Sequence, residues 1–380
     1  MTSVAELAPA YGQVVEGLRA ATGEGSGVRF VGGATKLGWG TPAGEAEPLA
    51  IEAAEIHEHN PGDLTAVLDA GVRLRDLQAA VGAEGQMLAL DPPLGDADGA
   101  TLGGIVATAD SGPLRHRYGS SRDLVVGMTV ALSDGTVAKA GGKVIKNVAG
   151  YDIHKLFTGS FGTLGAILRL SVRLHPLPPA TATALGRSQD PAALAAAASE
   201  LSHAQIELQS LDVRWRAGAG AVLARFGGTD AAAPAGHARD ALARHGLDAA
   251  VEEDDGELWD AQRASQRSAS DVEVRVSGLQ SQLAHVLGAA ERLGGSVTGR
   301  AGLGLSWVTL PVDGAVEAVA ELRSALEPSP CVVLDAPQEL RSAVDVWGPR
   351  EAGTLVLMRR VKERFDPAGV CAPGTFAGGI

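Results

Sequence analysis

Apolar residues recur along this chain at two periods, and the switches between them sketch its elements. "MTSVAELAPAYGQVVEGLRAATG" (1–23) has the spacing of an amphipathic helix. "VRFVGGATK" (28–36) predicts a short strand that runs into a glycine turn, and "PLAIEAAEI" (48–56) a strand then a turn. "DLTAVLDAGVRLRDLQAAVG" (63–82) reads as a strand, a turn at Gly71 and a helix from about Leu74. "TLGGIVATA" (101–109) is a turn entering a short helix. "DLVVGMTVALSDGTVAKAGG" (123–142) predicts a hairpin turning at Asp134-Gly135. "LGAILRLSVRLHPLPPA" (164–180) alternates at Ile167, Leu170, Val172 and Leu174, then stops at Pro176, Pro178 and Pro179. Those prolines mark the clearest domain boundary in the chain.

Beyond them the units lengthen. Strands are expected at 208–216, 221–227, 271–276, 305–310 and 331–334. Helices are expected at 190–203, 234–245, 257–268, 279–293 and 314–326. Runs such as "PAALAAAASEL" suit plain helix. The pattern predicts an α+β domain, an antiparallel sheet with helices on one face. The last 25 residues read as a helix, "TLVLMRRVKERF", and a Pro/Gly tail.

Composition narrows the class. The 380 residues allow two or three domains, and 45% apolar content supports a large core. A net charge of −13 argues against nucleic acid, which needs a basic footprint. Its plain reading is solubility. Two distant cysteines, Cys331 and Cys371, suit a reduced cytosolic protein and are too few to hold an iron–sulfur cluster. No apolar run reaches the roughly 20 residues of a membrane span, and the N-terminal stretch lacks the basic and apolar blocks of a signal peptide. "HEH" at 57–59 offers two histidines without a third ligand nearby and reads as surface polarity. No metal site is expected.

The 50 glycines cluster before residue 170. Several familiar motifs fail there. Gly38-x-Gly40 contains Pro42 and opens no helix, so it is no dinucleotide fingerprint. Gly142-Lys143 has Val137 and Val144 where a phosphate loop needs glycine and a hydroxyl. Ser160 misses the G-x-S-x-G elbow by one position. Three glycine segments remain. Gly32-Gly33-Ala34-Thr35-Lys36 follows a strand, and its backbone N–H groups can converge on a phosphate. Alone it reads rather as an ordinary turn. In the segment from Asp91 to Gly104, Thr101 can cap a helix whose start, at Gly103 and Gly104, favours an anion. The third, Gly159-x-x-Gly162-x-x-Gly165, keeps one side of an irregular turn bare for a flat ring or a neighbouring backbone. Together they argue for a large, phosphate-bearing cofactor.

The ordered segments "VGGATK", "DPP…ATLGG", "SGPLRHRYGSSRDLVVG", "KNVAGYDIHKL" and "GSFGTLGAI" resemble the FAD-binding domain of the vanillyl-alcohol-oxidase type, the p-cresol methylhydroxylase (PCMH) fold, over residues 15–176. Within that family, "KNVAGYD" and "SGPLRHRYGSSRD" are most similar to the FAD-binding E subunit of bacterial glycolate oxidase. The tail "FDPAGVCAPGTF" resembles the family's closing segment, with Ala372 where Asn is usual.

The resemblance implies an α+β fold: a two-subdomain PCMH-type FAD-binding domain at 1–178 (subdomains about 1–98 and 99–178), an α+β cap at 179–350, and a helix and tail at 351–380 that return to the FAD domain. It implies that Gly32, Gly33, Ala34, Thr35 and Lys36, with Pro93, Thr101, Leu102, Gly103 and Gly104, hold the diphosphate. Thr108, Ser111, Gly112, Tyr118 and Gly119 would approach the flavin ring. Gly159, Gly162, Gly165 and Ile167 would line the adenosine end and the ring's back wall, and Arg122-Asp123 would fix a loop. "KNVAGYDIHKL" would be a packed loop and helix supporting the flavin. The 32–36 loop holds neither His nor Cys, so the FAD is expected to be non-covalent.

The implied function is that of an FAD subunit of a glycolate (2-hydroxy-acid) dehydrogenase complex. Its partners would be a sister FAD-containing catalytic subunit and an iron–sulfur subunit. It would be cytoplasmic, drawn to the inner membrane face only through those partners. Arg115, His116 and Arg117 are candidates for the substrate carboxylate, or else an exposed basic turn. His203, His237, His245 and His285 are scattered and form no histidine-rich substrate motif, which leaves oxidation as a task for the sister subunit. A stand-alone alcohol or sugar oxidase and a non-catalytic flavin-binding assembly subunit are the alternatives. Trp259, Trp307 and Trp347 are expected to be packed in the core rather than lining a substrate cap.

Overall fold

The structure, a computed structural model, describes residues 9–42, 44–142 and 152–380. Residues 1–8 of the first expected helix lie outside the described residues, as do Lys143, Lys146, Asn147 and Tyr151. The chain forms two compact units. The first takes in Met1–Ser111, Gly119–Leu177 and Arg350–Ile380; the second takes in Gly112–Tyr118 and Pro178–Pro349. Both combine helices with sheets, and the fold is α+β.

The first unit carries strands β1 (Gly27–Val31), β2 (Ala46–Ala50), β3 (Ile56–Asn60), β4 (Thr65–Asp69), β5 (Gln86–Met87), β6 (Val125–Ala131), β7 (Val137–Gly141), β8 (Ala166–Arg173) and β9 (His175–Pro176). β1 and β2 pair in parallel, and β3-β4-β8-β6-β7 form an antiparallel sheet. The helix Pro9–Glu24 lays Tyr11, Val14, Val15 and Leu18 on one stripe, all buried against Val28, Ala131, Leu168 and Val370. The sequence pattern of β8 slips from Ile167 to Leu170, three positions instead of two. The ladder explains the slip: Arg169 faces Thr129 and Ile167 faces Val130, so Leu168 is an extra residue in a β-bulge.

The helix Ala352–Phe365 and the tail close this unit. Val28 donates to Val370 O at 2.8 Å, and Ala372 donates to Val28 O at 2.8 Å, so the tail runs beside β1. Lys362 Nζ donates to Asp366 Oδ2 (2.6 Å), Thr163 O (2.8 Å) and Cys371 O (2.7 Å). Asp366 in turn accepts the N–H groups of Cys371 (2.8 Å) and Val370 (3.2 Å). Burial works against the Asp366 carboxylate, but the Lys362 ammonium and these N–H groups outweigh it and hold the carboxyl below its ordinary value.

The second unit carries β10 (Ala180–Ser188), β11 (Ser210–Arg216), β12 (Ala219–Gly228), β13 (Asp248–Glu252), β14 (Val272–Ser277), β15 (Ser296–Arg300), β16 (Leu305–Leu310) and β17 (Cys331–Val333). They form one antiparallel sheet in the order β13-β10-β12-β11-β15-β16-β14-β17. The expected strands and helices are present. β10, β13 and β15 were not read from the sequence. β10, "ATATALGRS", is rich in Ala, Thr and Gly, and its nine residues become a strand by pairing with β12.

The expectation of helices on one face is corrected. A Cβ at Gly220 would lie 2.9 Å from Leu194 of the helix Pro191–His203, and one at Gly186 would lie 3.1 Å from Leu242 of the helix Ala232–Arg244. Gly186 and Gly220 share a face, because Gly186 pairs with Val222. Leu185, Ala221 and Leu223 point the other way and cluster with Trp259 of the helix Gly256–Ala264. Helices therefore cover both faces. Consecutive buried positions on β10 and β12 are the physical reason. Trp259, Trp307 and Trp347 are buried. Asp212 and Arg300, opposite each other on β11 and β15, form a fully buried ion pair at 2.8 Å, and Gln262 Nε2 donates to the same carboxylate at 3.0 Å.

Replacing Asp366 with Asn should leave the Lys362 ammonium without its carboxylate and cost about 3 kcal/mol in urea unfolding at pH 7. A carboxyl held low in the fold stabilises above its ordinary pKa of about 4, and that gain is lost as pH falls through the folded value. The gap between wild type and Asp366→Asn should therefore narrow on acidification. A gap that stays constant from pH 7 to pH 3 would contradict the tether.

Candidate functional site

Three glycine-bearing segments of the first unit meet beside β1. Its first two residues beyond the strand cannot carry side chains in place: a Cβ at Gly32 would sit 2.6 Å from Thr101 Oγ1, and one at Gly33 only 1.7 Å from Gly99 O. The 32–36 turn thus lies directly on the backbone that leads to Thr101. No described residue accepts the backbone N–H of Gly32, Gly33 or Ala34. Thr101 caps the helix Leu102–Thr108 as expected, its hydroxyl accepting the Gly104 N–H at 3.3 Å.

The two glycines of that helix differ. A Cβ at Gly103 would meet Ala70 at 2.8 Å, whereas one at Gly104 would meet only Thr101 Oγ1, at 3.3 Å. Gly103 is required by packing, while Gly104 opens onto the cavities described below. The period in Gly159-x-x-Gly162-x-x-Gly165 is conformational: the three have φ of +78°, +78° and +141°. Gly162 lies under the Phe30 ring (3.0 Å to a built Cβ), and Gly165 lies on Ala131 O (2.5 Å). The neighbours of this turn are thus a ring and a backbone.

These segments line two cavities. One, of about 100 Å³, gathers Gly32, Gly33, Ala34, Thr35, Lys36, Thr101, Gly104, Thr108 and Gly162 with Arg29, Phe30, Leu37, Trp39, Ala107, Phe161 and Thr375. The other, of about 70 Å³, is lined by Gly103, Gly165, Ile167, Ile51 and Ala70 and shares Phe30, Gly32, Thr101, Gly104, Ala107 and Gly162 with the first. Only the first is lined by charged side chains, Arg29 and Lys36. Lys36 Nζ lies 3.3 Å from Asp110 Oδ2 and 5.7 Å from the Trp39 ring centroid. Arg29 donates to Leu37 O, and burial pushes its pKa down.

The remaining expected residues lie elsewhere. Pro93, Leu102 and Ser111 are buried and line neither cavity. Gly159 also lines neither cavity: its N–H donates to Val106 O at 2.9 Å, and a Cβ there would approach Ala109 at 3.2 Å. Gly119 (φ +81°) packs on Asp123, whose carboxylate accepts the N–H and hydroxyl of Ser120 at 2.8 and 2.9 Å. Asp123 thus fixes this loop, as the sequence suggested. Gly112, Arg115, His116, Arg117 and Tyr118 belong to the second unit. There Arg117 pairs with Glu207 at 3.0 Å. The half-buried His116 ring sits over Gly302, and desolvation lowers its pKa.

His57 corrects a second expectation. It is not surface decoration: its Nε2 lies 2.6 Å from the buried Asp69 carboxylate. Tyr11 donates to that carboxylate, and Arg169 Nε lies 3.4 Å from it. Glu55 completes a cluster of potential ligands with His57 and Asp69. Burial raises the Asp69 pKa, and burial together with Arg169 lowers that of His57. With Tyr11 and Arg169 already on Asp69, the group reads as a hydrogen-bonded tie between the first helix and the sheet.

Residues 8–141 match a family model described as FAD binding domain. They contain the 32–36 turn and the capped helix start, so the cavities lie in a domain whose cofactor is FAD. The chain is 39% identical over 126 residues to glycolate oxidase subunit GlcE of Escherichia coli (strain K12), 33% of this chain and 36% of that protein. It is 39% identical over 153 residues to glycolate oxidase subunit GlcD of Bacillus subtilis (strain 168), 40% and 31% of the two chains. It is 30% identical over 190 residues to mitochondrial D-lactate dehydrogenase [cytochrome] 1 of Saccharomyces cerevisiae (strain ATCC 204508 / S288c), 49% and 32%. The matches thus span about a third of each relative. A solved structure of alkyldihydroxyacetonephosphate synthase shares the fold at 15% identity, with a TM-score of 0.68 over 95% of this chain and 74% of that one.

The residues present fit FAD. Unaccepted backbone N–H groups suit a diphosphate, Gly104 leaves space at the helix start, and the charge lies at one end. Arg29, Phe30, Trp39, Phe161 and Thr375 were missed from the sequence. Thr375 had no local signal, since it arrives on the tail some 340 residues after the turn it joins. Ala372 stands there at φ +42°, a left-handed conformation that Asn tolerates better than Ala. Cys371 is buried, and burial pushes its thiol pKa up. Neither cysteine lines either of these two cavities. Gly33→Ala should force the turn off Gly99 and cost about 3 kcal/mol of stability without any ligand. An apo variant that melts with the wild type would refute that contact.

Proposed function

We propose that this chain is the FAD-binding subunit of a 2-hydroxy-acid dehydrogenase complex of the glycolate oxidase kind, passing electrons from the hydroxy acid through flavin to an iron–sulfur partner subunit. The observation that carries the reading is the cavity at Gly32–Lys36 and Thr101–Gly104, set within a domain of the FAD binding family. Relatives named as glycolate oxidase subunits and D-lactate dehydrogenase support the substrate class. FAD, when bound, supplies the capacity to accept hydride from an alcohol carbon. The chain's own groups bind and orient it. The N–H groups of the 32–34 turn would hold the diphosphate, Gly104 would give it room, and Ile167 with Gly162 and Gly165 would wall the apolar end. Phe30, Trp39 and Phe161 exclude water from the cavity.

One observation favours the variant in which a sister subunit oxidises the substrate. The second-unit histidines do not converge. His203 contacts Ser199 O at 2.8 Å, His245 contacts Glu200 at 2.7 Å, His285 contacts Ala325 O at 2.7 Å, and His237 is exposed. Arg117 is engaged by Glu207. The substrate's proton acceptor would then lie on the partner.

The purified chain should be yellow, and acid precipitation should release the FAD into the supernatant. Flavin retained in the pellet would overturn non-covalent binding. With its co-purified partners, glycolate or D-lactate should bleach the flavin band. Bleaching by neither, in a complex that still holds FAD, would favour the assembly-subunit reading; oxygen-dependent turnover by the isolated chain on another alcohol would favour the oxidase. Gly104→Ala tests the placement. Ala is the better helix former by about 1 kcal/mol, so the apo protein should be no less stable. FAD affinity should nevertheless fall by about 2 kcal/mol, roughly 30-fold. Unchanged affinity would move the cofactor away from this helix.

A further inference from the structure

Arg29 is a partly desolvated cation with no carboxylate beside it. Its guanidinium donates to Leu37 O, and no described acid forms an ion pair with it. Burial, with no opposing charge, lowers its pKa. Such an arrangement is unfavourable by itself, since a charge withdrawn from water needs a counter-charge. Lys36, the other cation at the cavity, already has Asp110 at 3.3 Å. Arg29 lines the same cavity as the N–H groups of Gly32, Gly33 and Ala34, while the adjoining cavity is lined by no ionisable residue. Position 29 sits on β1, whose course is fixed by β2 on one side and the tail at Val370–Ala372 on the other. The backbone of Arg29 is therefore held by rigid elements, and its guanidinium is tied to the turn at Leu37 O.

We propose that Arg29 is the counter-charge of the FAD diphosphate, pairing with its oxygens beside the 32–34 backbone and fixing which end of the cofactor enters the larger cavity. This rests on the reading that the two cavities hold FAD. The guanidinium fork suits two phosphate oxygens at once, which an ammonium cannot match. It also makes the protein selective for flavins that carry a diphosphate.

The test uses the full apo chain as wild type, Arg29→Gln, Arg29→Met and Arg29→Lys, titrated with FAD and with riboflavin, which has no phosphate. Apo melting temperatures close to wild type establish that the variants fold; two neutral variants are made so that either suffices. FAD affinity should fall about 10- to 100-fold in Arg29→Gln and Arg29→Met, and Arg29→Lys should recover part of the loss. Riboflavin binding should not change. FAD affinity equal to wild type in a folded neutral variant overturns the proposal, as does an equal loss for FAD and riboflavin, which would indicate general damage to the cavity. If wild type itself takes up no FAD, the cofactor reading falls first, and that result is distinct from one in which only the Arg29 variants match wild type.

Discussion

The buried pair of Lys362 and Asp366 is the contact on which the geometry of the first unit depends. β1 belongs to a two-stranded sheet, which is marginal in isolation. It gains a second neighbour only because the tail is pinned beside it, and the tail is pinned because one ammonium bridges Asp366, Thr163 and Cys371. Thr163 lies in the third glycine segment, and Cys371 lies opposite Val28. A single cation thus fixes the tail, β1 and the 159–165 turn against one another. All three contribute to the larger cavity.

That arrangement gives the glycines distinct duties. At Gly33, Gly103 and Gly165 the neighbour is protein, and any side chain would displace a strand, a helix or a turn. These positions hold the cavity walls at contact distance. Gly104 has almost no protein neighbour, so its missing side chain serves whatever enters the space. A glycine period in sequence therefore mixes construction with recognition, and only the distances to surrounding atoms separate them. The same reasoning separates the two cations. Lys36 pairs with Asp110, while Arg29 lines the same cavity with no described acid beside it.

Much of this was legible from the chain alone, for a physical reason. The 32–36 turn, the Thr101 cap and the Asp134-Gly135 hairpin are local structures, written in residues a few positions apart. The sequence reads Ile167, Leu170, Val172 and Leu174 as plain alternation, and the bulge at Leu168 that breaks it required the partner strand. What was not legible is non-local. β10 is a strand because β12 lies beside it, Thr375 joins the cavity through the tail, and Arg29 reads as an ordinary alternating residue of β1 until its lack of an acidic partner is seen. The one-face expectation for the second unit failed likewise, because Ala and Gly on β10 and β12 gave no sign that both sides were covered.

The second unit spends its buried charge on itself. Asp212 and Arg300 are fully enclosed, and Gln262 donates to the same carboxylate. Asp255 accepts both Arg225 nitrogens, at 2.8 and 3.0 Å, and the hydroxyls of Thr181 and Thr183. Ion pairs of this kind cost desolvation and contribute little net stability against an apolar core, but they penalise any register that separates them. Asp212 sits directly across from Arg300, so a one-residue slip of β11 against β15 would strand both charges. In a sheet whose β10 and β12 are built largely from Ala, Gly, Leu and Val, which specify register weakly, that penalty fixes the register of β11 against β15. Asp212, Asp255 and Arg300, all buried, are thus committed to holding the sheet together.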